Sequence, residues 1–242
     1  MKILIIPDLH CRKFWRRCIF DNTNKVEKVV FLGDYFDPYN EQNLEDDPIL
    51  MILDIIGLKK SEPDKYILLI GNHDCHYIWN EYPQSTRYNI WSAKKYHNIF
   101  CGNLNLFNIA FLQDDVIFTH AGITDEWRKL CFPELSILEV CKKLASEKLT
   151  ENVIDFGYLS AISYYRGGFQ KAGSCEWADL REHIDHYQSE VQEKIVPLGD
   201  DSVYQVFGHT KIQKPLVTDK WACLDCQKGF IVDTLTHEIS EC

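Results

Sequence analysis

The sequence predicts an α/β fold in which two mixed β-sheets pack together and are flanked by helices. In the first half of the chain, short apolar runs alternate with helical patterns, as they do in βαβ units. From about Leu104 onward, short strands follow one another closely, which favours antiparallel pairs. With 242 residues, 45% of them hydrophobic, the chain can bury one sizeable core, so we expect a single domain over residues 1–242.

The predicted elements follow from periodicity and from turn residues. Five apolar runs resemble buried strands, each followed by polar residues: Lys2–Pro7, Lys28–Leu32, Lys65–Ile70, Val116–Thr119 and Ser202–Phe207. Further strands are expected at Leu104–Leu112, Lys214–Val217, Lys220–Leu224 and Phe230–Asp233. Helical spacing of apolar residues predicts helices at Phe14–Asn24, Pro48–Lys60 and Pro133–Lys148. The least regular stretch is Thr150–Glu193, and long irregular segments in a compact domain are more often functional than idle.

Composition excludes several classes of protein. The net charge of −10 disfavours nonspecific binding to nucleic acid or to an anionic membrane. No apolar run reaches the length of a membrane span, and the first strand, which begins with Lys2, does not resemble a secretion signal. We therefore expect a cytoplasmic protein whose ten cysteines are reduced. Cys223 and Cys226 lack a second cysteine pair and lie at a predicted turn, so a structural zinc site is not favoured.

The most informative residues come directly after the predicted strands. They form five short motifs: Asp8-Leu9-His10, Gly33-Asp34-Tyr35-Phe36-Asp37, Gly71-Asn72-His73-Asp74, Thr119-His120-Ala121-Gly122 and Gly208-His209-Thr210. Open α/β sheets collect ligands at the carboxyl ends of their strands. Carboxylate, imidazole and amide groups are suitable ligands for divalent cations. The pattern therefore predicts a metal site assembled from strand ends.

The six donor residues divide into two metal sets. Asp8 and His10 suit a first metal, and Asp34 is placed to bridge the two cations. Asn72, His120 and His209 complete the second set. Taken alone, Asp8 could cap a helix and His120 could be an ordinary core histidine. All six donors in this order favour the metal interpretation.

These motifs resemble those of the calcineurin-like metallophosphoesterase superfamily, and within it the bacterial and phage-type serine/threonine phosphoprotein phosphatases. The resemblance covers nearly the whole chain and includes Cys175-Glu176-Trp177-Ala178-Asp179-Leu180. It implies a four-layer α/β/β/α sandwich and the two metal sets given above. It also implies that His73 is the general acid and that Asp37 is the carboxylate that orients it.

Two positions depart from patterns within the superfamily. Many phosphodiesterases have a second histidine in the last motif where this chain has Lys211, which favours a monoesterase over a nuclease. The related protein phosphatases, like the symmetrical dinucleoside tetraphosphatases, carry a phosphate-binding arginine in the second motif, where this chain has Pro38. A proline cannot replace the forked guanidinium group. Arg181 and Arg166 are the alternatives for phosphate binding, whereas Arg12, Arg16 and Arg17 are expected on an exposed helix face.

The leading hypothesis is hydrolysis of phosphate monoesters, in phosphoproteins or in small phosphoesters, by direct attack of a hydroxide that bridges two divalent cations. The ligand types fit manganese, iron or zinc equally. An alternative is a hydrolase of dinucleoside polyphosphates or phosphodiesters. A second alternative is a catalytically silent scaffold, although all six donors and His73 are present.

Overall fold

The computed structural model describes residues 1–40, 44–184 and 203–242. Its strands are β1 (Lys2–Ile6), β2 (Lys28–Phe31), β3 (Tyr66–Leu69), β4 (Phe107–Asn108), β5 (Phe111–Gln113), β6 (Val116–Phe118), β7 (Tyr204–Phe207), β8 (Leu216–Val217), β9 (Trp221–Cys223), β10 (Phe230–Asp233) and β11 (Ile239–Glu241). Its helices are α1 (Phe14–Asn22), α2 (Pro48–Ser61), α3 (Asn72–Ile78), α4 (Ala93–Cys101), α5 (Asp125–Cys131) and α6 (Ile137–Ser146). Short 3₁₀ segments lie at Leu104–Leu106, Val153–Ser160 and Tyr164–Arg166.

The described strands form two mixed sheets. The first has six strands in the order β11-β10-β1-β2-β3-β4, and the second has five in the order β5-β6-β7-β9-β8. In the first sheet β1 to β4 run parallel, and in the second β6, β7 and β9 run parallel. The parallel strands place their carboxyl ends together, so residues that follow β1, β2, β3, β6 and β7 can meet.

The core follows the two-residue period of the strands. In β1, Ile3 and Ile5 belong to a cluster between the sheets, whereas Leu4 and Ile6 belong to the cluster beneath the helices. The inter-sheet cluster also draws on the second sheet through Val116, Phe118 and Val206. Helices α1 and α2 contact the first sheet, and α6 contacts β5 of the second. The expected arrangement of two packed mixed sheets with outer helices is therefore confirmed.

The structure corrects four predicted elements or faces. The predicted strand Leu104–Leu112 is wrong because the chain crosses between sheets at Ile109 and Ala110. Both residues are buried, so no polar break marks the crossing. The helix predicted at Pro133–Lys148 starts only after Ser136, whose hydroxyl caps it. The strand predicted from Lys214 is confined to β8, and β11 was not predicted.

Arg12 is the fourth correction, since it does not belong to an exposed helix face. It is 8% exposed, whereas Arg17 is exposed on α1. Positive φ angles at His10 and Cys11 turn the chain before α1 begins. This turn lets Nη1 of Arg12 donate a hydrogen bond to the main-chain oxygen of Asp8 at 3.2 Å.

Two other expectations concern the irregular stretch and membranes. The stretch Thr150–Glu193 contains 3₁₀ segments and the start of a helix at 180–184, and its residues 185–193 lie outside the described part. Ser202, the first residue of a predicted strand, also lies outside it. Among the described helices, none combines the length and the apolar character needed to cross a membrane.

Candidate metal centre

Three of the six predicted ligands, and the predicted orienting carboxylate, have strained backbone conformations at the strand ends. His10, Asp34, Asp37 and His209 all have positive φ angles, of 44°, 55°, 57° and 63°. Such a conformation costs of order 1–3 kcal/mol for each residue that is not glycine, and it persists only where the surrounding structure imposes it. The chain therefore holds these side chains in place at an energetic cost.

Two glycines allow β2 and β3 to deliver their ligands side by side. A Cβ atom on Gly33, whose φ is +102°, would lie 2.5 Å from the backbone nitrogen of Gly71. A Cβ atom on Gly71 would lie 2.3 Å from Oδ1 of Asp34 and 2.7 Å from Cε1 of His120. The close approach of the two loops therefore requires a glycine at both positions.

Asp74 fixes the same loops from behind. Its Oδ2 accepts hydrogen bonds from the main-chain nitrogens of Asp34 and Gly71, at 2.7 and 2.8 Å. Its Oδ1 accepts a third from the main-chain nitrogen of Tyr35 at 3.0 Å. Sequence reasoning gave Asp74 no role, although it belongs to the third motif. Its position explains why that motif ends in a carboxylate.

The second predicted metal set converges on one point. His120 donates from Nδ1 to the main-chain oxygen of Leu32 at 2.8 Å, which leaves a lone pair on Nε2. This Nε2 lies 3.1 Å from Oδ1 of Asn72, 3.0 Å from Nδ1 of His209 and 3.5 Å from Oδ1 of Asp34. Asp34, His120 and His209 form a buried group whose ligand atoms lie within 4.8 Å of one another. Four atoms that can offer lone pairs face one another here, which fits a cation between them.

The first predicted set is built around His10 and Asp34. Nδ1 of His10 donates to the main-chain oxygen of Phe36 at 2.9 Å, which directs Nε2 to Oδ2 of Asp34 at 3.4 Å. His10, Asp34 and His73 form a second buried group with ligand atoms within 4.8 Å. Asp34 thus belongs to both groups, as a bridging ligand must.

Asp8 is buried beside these groups but completes neither of them within that spacing. Its Oδ1 accepts a hydrogen bond from the main-chain nitrogen of His209 at 3.0 Å. A Cβ atom on Gly208 would lie 2.3 Å from the same oxygen. Asp8 therefore ties the last motif to the first, and its assignment to the first metal stays a prediction.

The electrostatics of the cluster also fit a cation. Burial alone would raise the pKa of Asp34, but the neighbouring imidazoles, His120 foremost, hold it well below its usual range. Burial lowers the pKa of His10 to about 3 and that of His209 well below its usual value, so both imidazoles are neutral at pH 7. Nε2 of His209 is buried without a hydrogen-bond partner among the described residues. Ionised carboxylate and neutral imidazole are the forms that bind metals.

His73 and Asp37 lie next to the first group, as the resemblance implied. Nδ1 of His73 lies 2.8 Å from Oδ2 of Asp37. The hydroxyl of Tyr77 donates to Oδ1 of Asp37 at 2.5 Å, and Nε2 of His76 lies 2.9 Å from Oδ2. Burial opposes ionisation, but the contacts with His73 and His76 lower the pKa of Asp37. Asp37 is therefore a carboxylate that can hold one ring orientation of His73.

Sequence reasoning missed His76 and Tyr77 because it did not predict α3. They lie three and four positions after His73, so a helix starting at Asn72 places them on the same side. His76 receives a hydrogen bond at Nδ1 from the main-chain nitrogen of Ser85 at 3.3 Å, so its Nε2 carries the hydrogen. That nitrogen lies 2.9 Å from Oδ2 of Asp37 but is not aligned for a hydrogen bond.

Arg87 is a second residue that sequence reasoning missed. Its Nη2 lies 3.3 Å from Nε2 of His73, and its guanidinium carbon lies 3.9 Å from the centre of the Tyr39 ring. Its φ is +69°, so the loop that carries it is strained. A guanidinium group only donates hydrogen bonds, so in this contact Nε2 of His73 is the acceptor. Arg87 therefore places a positive charge directly beside the ring nitrogen that faces away from Asp37, where an anionic substrate can be bound.

The two arginines named from the sequence are both engaged with Asp179. Nε of Arg181 lies 2.7 Å from Oδ1 of Asp179, and its Nη2 donates to the main-chain oxygen of Tyr165 at 2.8 Å. Nε of Arg166 lies 2.9 Å from Oδ2 of Asp179, and its Nη2 donates to Thr210 at 2.6 Å. Arg166 also lies close enough for its charge to add to the lowering of the pKa of His209, after burial. Of the two, Arg166 contacts Thr210, the neighbour of the predicted ligand His209.

Asp225 is a further buried carboxylate beside the centre. It was predicted only as part of a turn, yet it is fully buried, and neither carboxylate oxygen has a hydrogen-bond partner among the described residues. Burial, followed by the negative charge of Asp8, raises its pKa to about 8. An unpartnered buried carboxylate next to Asp8 is a second feature of this centre that fits a nearby cation.

The chain was compared with known proteins and structures. The family model of the calcineurin-like phosphoesterases matches residues 1–213. A search of curated proteins found no match. Among solved structures, it is similar to a cold-active protein-tyrosine phosphatase of a psychrophilic Shewanella species, with 15% identity, a TM-score of 0.57, and coverage of 99% of this chain and 80% of the other. It is also similar to a protein serine/threonine phosphatase from Saccharomyces cerevisiae, with 12% identity, a TM-score of 0.53, and coverage of 100% and 79%.

At these identities the structural likeness supports the fold, whereas the family match covers most of the chain and includes all five motifs. Together with the buried groups of imidazoles and carboxylates, the match settles the family. The chain belongs to the calcineurin-like phosphoesterases and is a metal-dependent phosphoesterase.

Proposed function

We propose that this protein hydrolyses phosphate monoesters, with phosphoserine and phosphothreonine side chains of proteins as its substrate class. The observation that carries the proposal is the buried His73–Asp37 pair directly beside the group formed by His10 and Asp34. An oriented imidazole at a metal centre suits protonation of an alkoxide leaving group, the step that a monoester with a poor leaving group needs.

Two divalent cations, manganese, iron or zinc, are assigned to this centre. When bound, they supply a water that ionises near neutral pH and positive charge that neutralises the phosphate. The residues proposed to hold them share oxygen or imidazole donors and lie at strand ends: Asp8, His10 and Asp34 for one cation, and Asp34, Asn72, His120 and His209 for the other.

Side chains of the protein are proposed to protonate the leaving group and to bind the phosphate oxygens. His73 gives its Nε2 proton to the leaving oxygen while Asp37, held by Tyr77, keeps the ring in place. Arg87 lies on the His73 side and Arg166 on the His209 side, so both can donate to phosphate oxygens. Arg181 acts through Asp179, which positions Arg166.

One observation favours a second candidate, the hydrolysis of a dinucleoside polyphosphate or a phosphodiester. Pro38 stands where the related phosphatases have a phosphate-binding arginine. This chain must therefore bind the phosphate of a simple monoester with other residues than those phosphatases use. A steady-state comparison of phosphopeptides, a dinucleoside tetraphosphate and a bis-aryl phosphodiester separates the two. We expect the highest kcat/KM with the phosphopeptides.

The proposal is tested with isotope-labelled water and the manganese-loaded protein. We expect one solvent oxygen in the released phosphate, since water attacks phosphorus directly. Label found only in the alcohol product would refute the proposed attack. Protein that binds manganese but releases no phosphate from any of the three substrates would favour the silent scaffold.

A further inference from the structure

A cavity of about 190 Å³ lies directly beside the proposed first metal position. His10 forms one part of its wall, and Pro38 and Tyr39 form another. The ring of Tyr39 lies 4.9 Å from that of His10, centre to centre, and is half exposed. The absence of a large side chain at Pro38 thus coincides with an open space next to the reacting centre.

Three cationic side chains surround the Tyr39 ring. The guanidinium carbon of Arg87 lies 3.9 Å from its centre, Nζ of Lys211 lies 4.6 Å away, and the guanidinium carbon of Arg12 lies 5.0 Å away. Within the described part of the chain, no ion pair with a carboxylate is found for any of the three. Three cationic side chains thus converge on one ring in a chain of net charge −10, and the carboxylates of Asp225 and Asp8 lie within electrostatic reach of the same ring.

Arg12 gives independent evidence for an anionic ligand. It lines the cavity, is 8% exposed, and has no hydrogen-bond partner for Nη2 among the described residues. A buried guanidinium is costly unless its hydrogens are paired. Among the described residues of the cavity wall, Glu45 alone carries a carboxylate, and this group accepts a hydrogen bond from the main-chain nitrogen of Lys13 at 3.1 Å. Nη2 of Arg12 therefore still lacks an acceptor, although the buried carboxyl group of Asp225 lies within electrostatic reach of the guanidinium.

We propose that this cavity binds a second phosphoryl group of the substrate, adjacent to the one that is removed. The inference rests on the proposed phosphoester hydrolysis, and it adds to the phosphopeptides a class of substrate with two neighbouring phosphoryl groups, to which the second candidate function also belongs. Arg12 and Lys211 donate to the second phosphoryl group, while Arg87 lies between the cavity and His73. Tyr39 holds the three cations at fixed distances through its ring face.

Lys211 then has a role that its place in the motif did not suggest. It stands where many phosphodiesterases have a metal-binding histidine, yet its ammonium lies at the Tyr39 ring and its side chain lines the cavity. The substitution exchanges a metal ligand for an anion-binding group. Two kinds of substrate share the required chemistry: a diphosphate, in which an oxygen links the two phosphorus atoms, and a bisphosphate on adjacent carbons.

Calorimetric titration of the manganese-loaded protein tests the proposal. The probes are methylphosphonate with one anionic group, methylenediphosphonate with the spacing of a diphosphate, and ethylenediphosphonate with a longer spacing. We expect the protein to bind one of the two diphosphonates at least tenfold more tightly than methylphosphonate, and the tighter one identifies the spacing. Lys211→Gln should reduce that preference roughly tenfold, the effect of losing one charge-assisted hydrogen bond.

The control variant is Lys214→Gln, an exposed lysine three positions further along the same loop. It should keep the preference of the original protein. Diphosphonates also chelate metal ions, but chelation is the same in both variants and cancels in the comparison. Arg12→Lys keeps the positive charge but loses the paired donors of the guanidinium group, so it should also reduce the preference for the diphosphonate over methylphosphonate.

An unchanged preference in folded Lys211→Gln would overturn the proposal. So would equally tight binding of phosphonoacetate, because the cavity would then accept any second anion. Hydrolysis of nitrophenyl phosphate, measured on the same samples, tests the proposed phosphoester hydrolysis independently of the proposed second phosphoryl site. A protein that does not hydrolyse it contradicts the proposed function, whereas the binding preference still reports on the cavity.

Discussion

His73 and Asp37 are joined by a hydrogen bond of 2.8 Å between Nδ1 and Oδ2, although 36 positions separate them in the chain. Both side chains are buried, and Tyr77 donates to the second oxygen of Asp37. Because the carboxylate accepts at Nδ1, the hydrogen there is fixed and the other ring nitrogen, Nε2, is directed toward Arg87. The pair therefore holds the ring in one orientation, so that proton exchange with a substrate takes place at Nε2.

Replacement of His73 by glutamine should lower kcat by roughly a hundredfold, the usual contribution of acid catalysis. The loss should be much smaller with nitrophenyl phosphate than with phenyl phosphate, since nitrophenolate leaves without a proton. Asp37→Asn should show the same dependence on the leaving group with a smaller loss. Steady-state kinetics with both substrates provide the measurement. If His73→Gln loses bound metal in elemental analysis, His73 is a ligand and the assignment is wrong.

Replacement of Arg87 by methionine should raise KM for a phosphomonoester roughly tenfold, because a charge-assisted contact with the phosphate is lost. Arg87→Lys should recover only part of that loss, since an ammonium cannot bind two phosphate oxygens in parallel. Arg17→Met, which removes an exposed arginine from α1, is the matched control. An unchanged KM in folded Arg87→Met would show that the guanidinium does not contact substrate.

If the ligands divide into two sets, mutation of a residue that belongs to one set should remove one bound cation and leave the other. The original protein should bind two equivalents of manganese, whereas His209→Ala or Asn72→Ala should bind about one, as measured by elemental analysis after gel filtration. Metal that binds only the folded state should also stabilise the original protein by about 2.7 kcal/mol at a hundred times its Kd. His237→Ala provides the control, since His237 stacks on Tyr204 and belongs to neither metal group. Two equivalents in both ligand variants would contradict the assignment.

The predicted ligands could be named from the sequence because each follows an apolar strand whose end is marked by glycine or a polar residue, and their role as ligands stays a prediction. Arg87 could not be found this way. It lies 14 positions after His73 in an irregular segment, and only the folded loop brings it to the imidazole. Asp225 was missed for a similar reason, since two of the charged groups that shift its pKa, Asp8 and Arg12, come from the other end of the chain. Ligands that end strands are local signals, whereas residues that complete a site from loops are not.

The same distinction explains the errors in the fold. α1 and α2 were predicted nearly to their ends, because α2 has Asp47 as an N-cap and proline at its start. The crossing at Ile109 and Ala110 has no such marker, since both residues are buried on either side of the change of sheet. A continuous apolar pattern does not reveal which sheet each residue joins.

Asp179 predicts a dependence of stability on pH. Burial opposes its ionisation, but the hydrogen bonds from Arg181 and the charge of Arg166 lower its pKa below the value of about 3.9 for an unfolded chain. A lowered folded-state pKa contributes stability that is present above pH 4 and lost as pH falls through the folded-state value. Asp179→Asn should therefore be less stable than the original protein at pH 7, and the difference should shrink below pH 4. Denaturant midpoints across this range measure it, with the exposed Asp64→Asn as the control.

The last prediction concerns the close approach of β2 and β3. Replacing Gly33 by alanine would place a Cβ atom 2.5 Å from the nitrogen of Gly71 and 2.6 Å from the main-chain carbon of Ile70, at a φ of +102°. Both neighbours are backbone atoms, so the clash is relieved only by moving the strand end that carries Asp34. We expect a loss of at least about 3 kcal/mol in the free energy of unfolding, from strain and displaced ladder contacts together.

Gly57→Ala is the matched substitution, since a Cβ atom there meets nothing within 4 Å and the residue lies inside α2. Alanine in that helix should stabilise the protein by roughly 0.5–1 kcal/mol, because glycine loses more backbone entropy on folding. The two glycine variants should therefore change the denaturant midpoint in opposite directions. Gly33→Ala could instead match the original protein in both its denaturant midpoint and its manganese binding. That result would show that the ends of β2 and β3 can move apart without loss of stability, and it would contradict the rigid placement of Asp34.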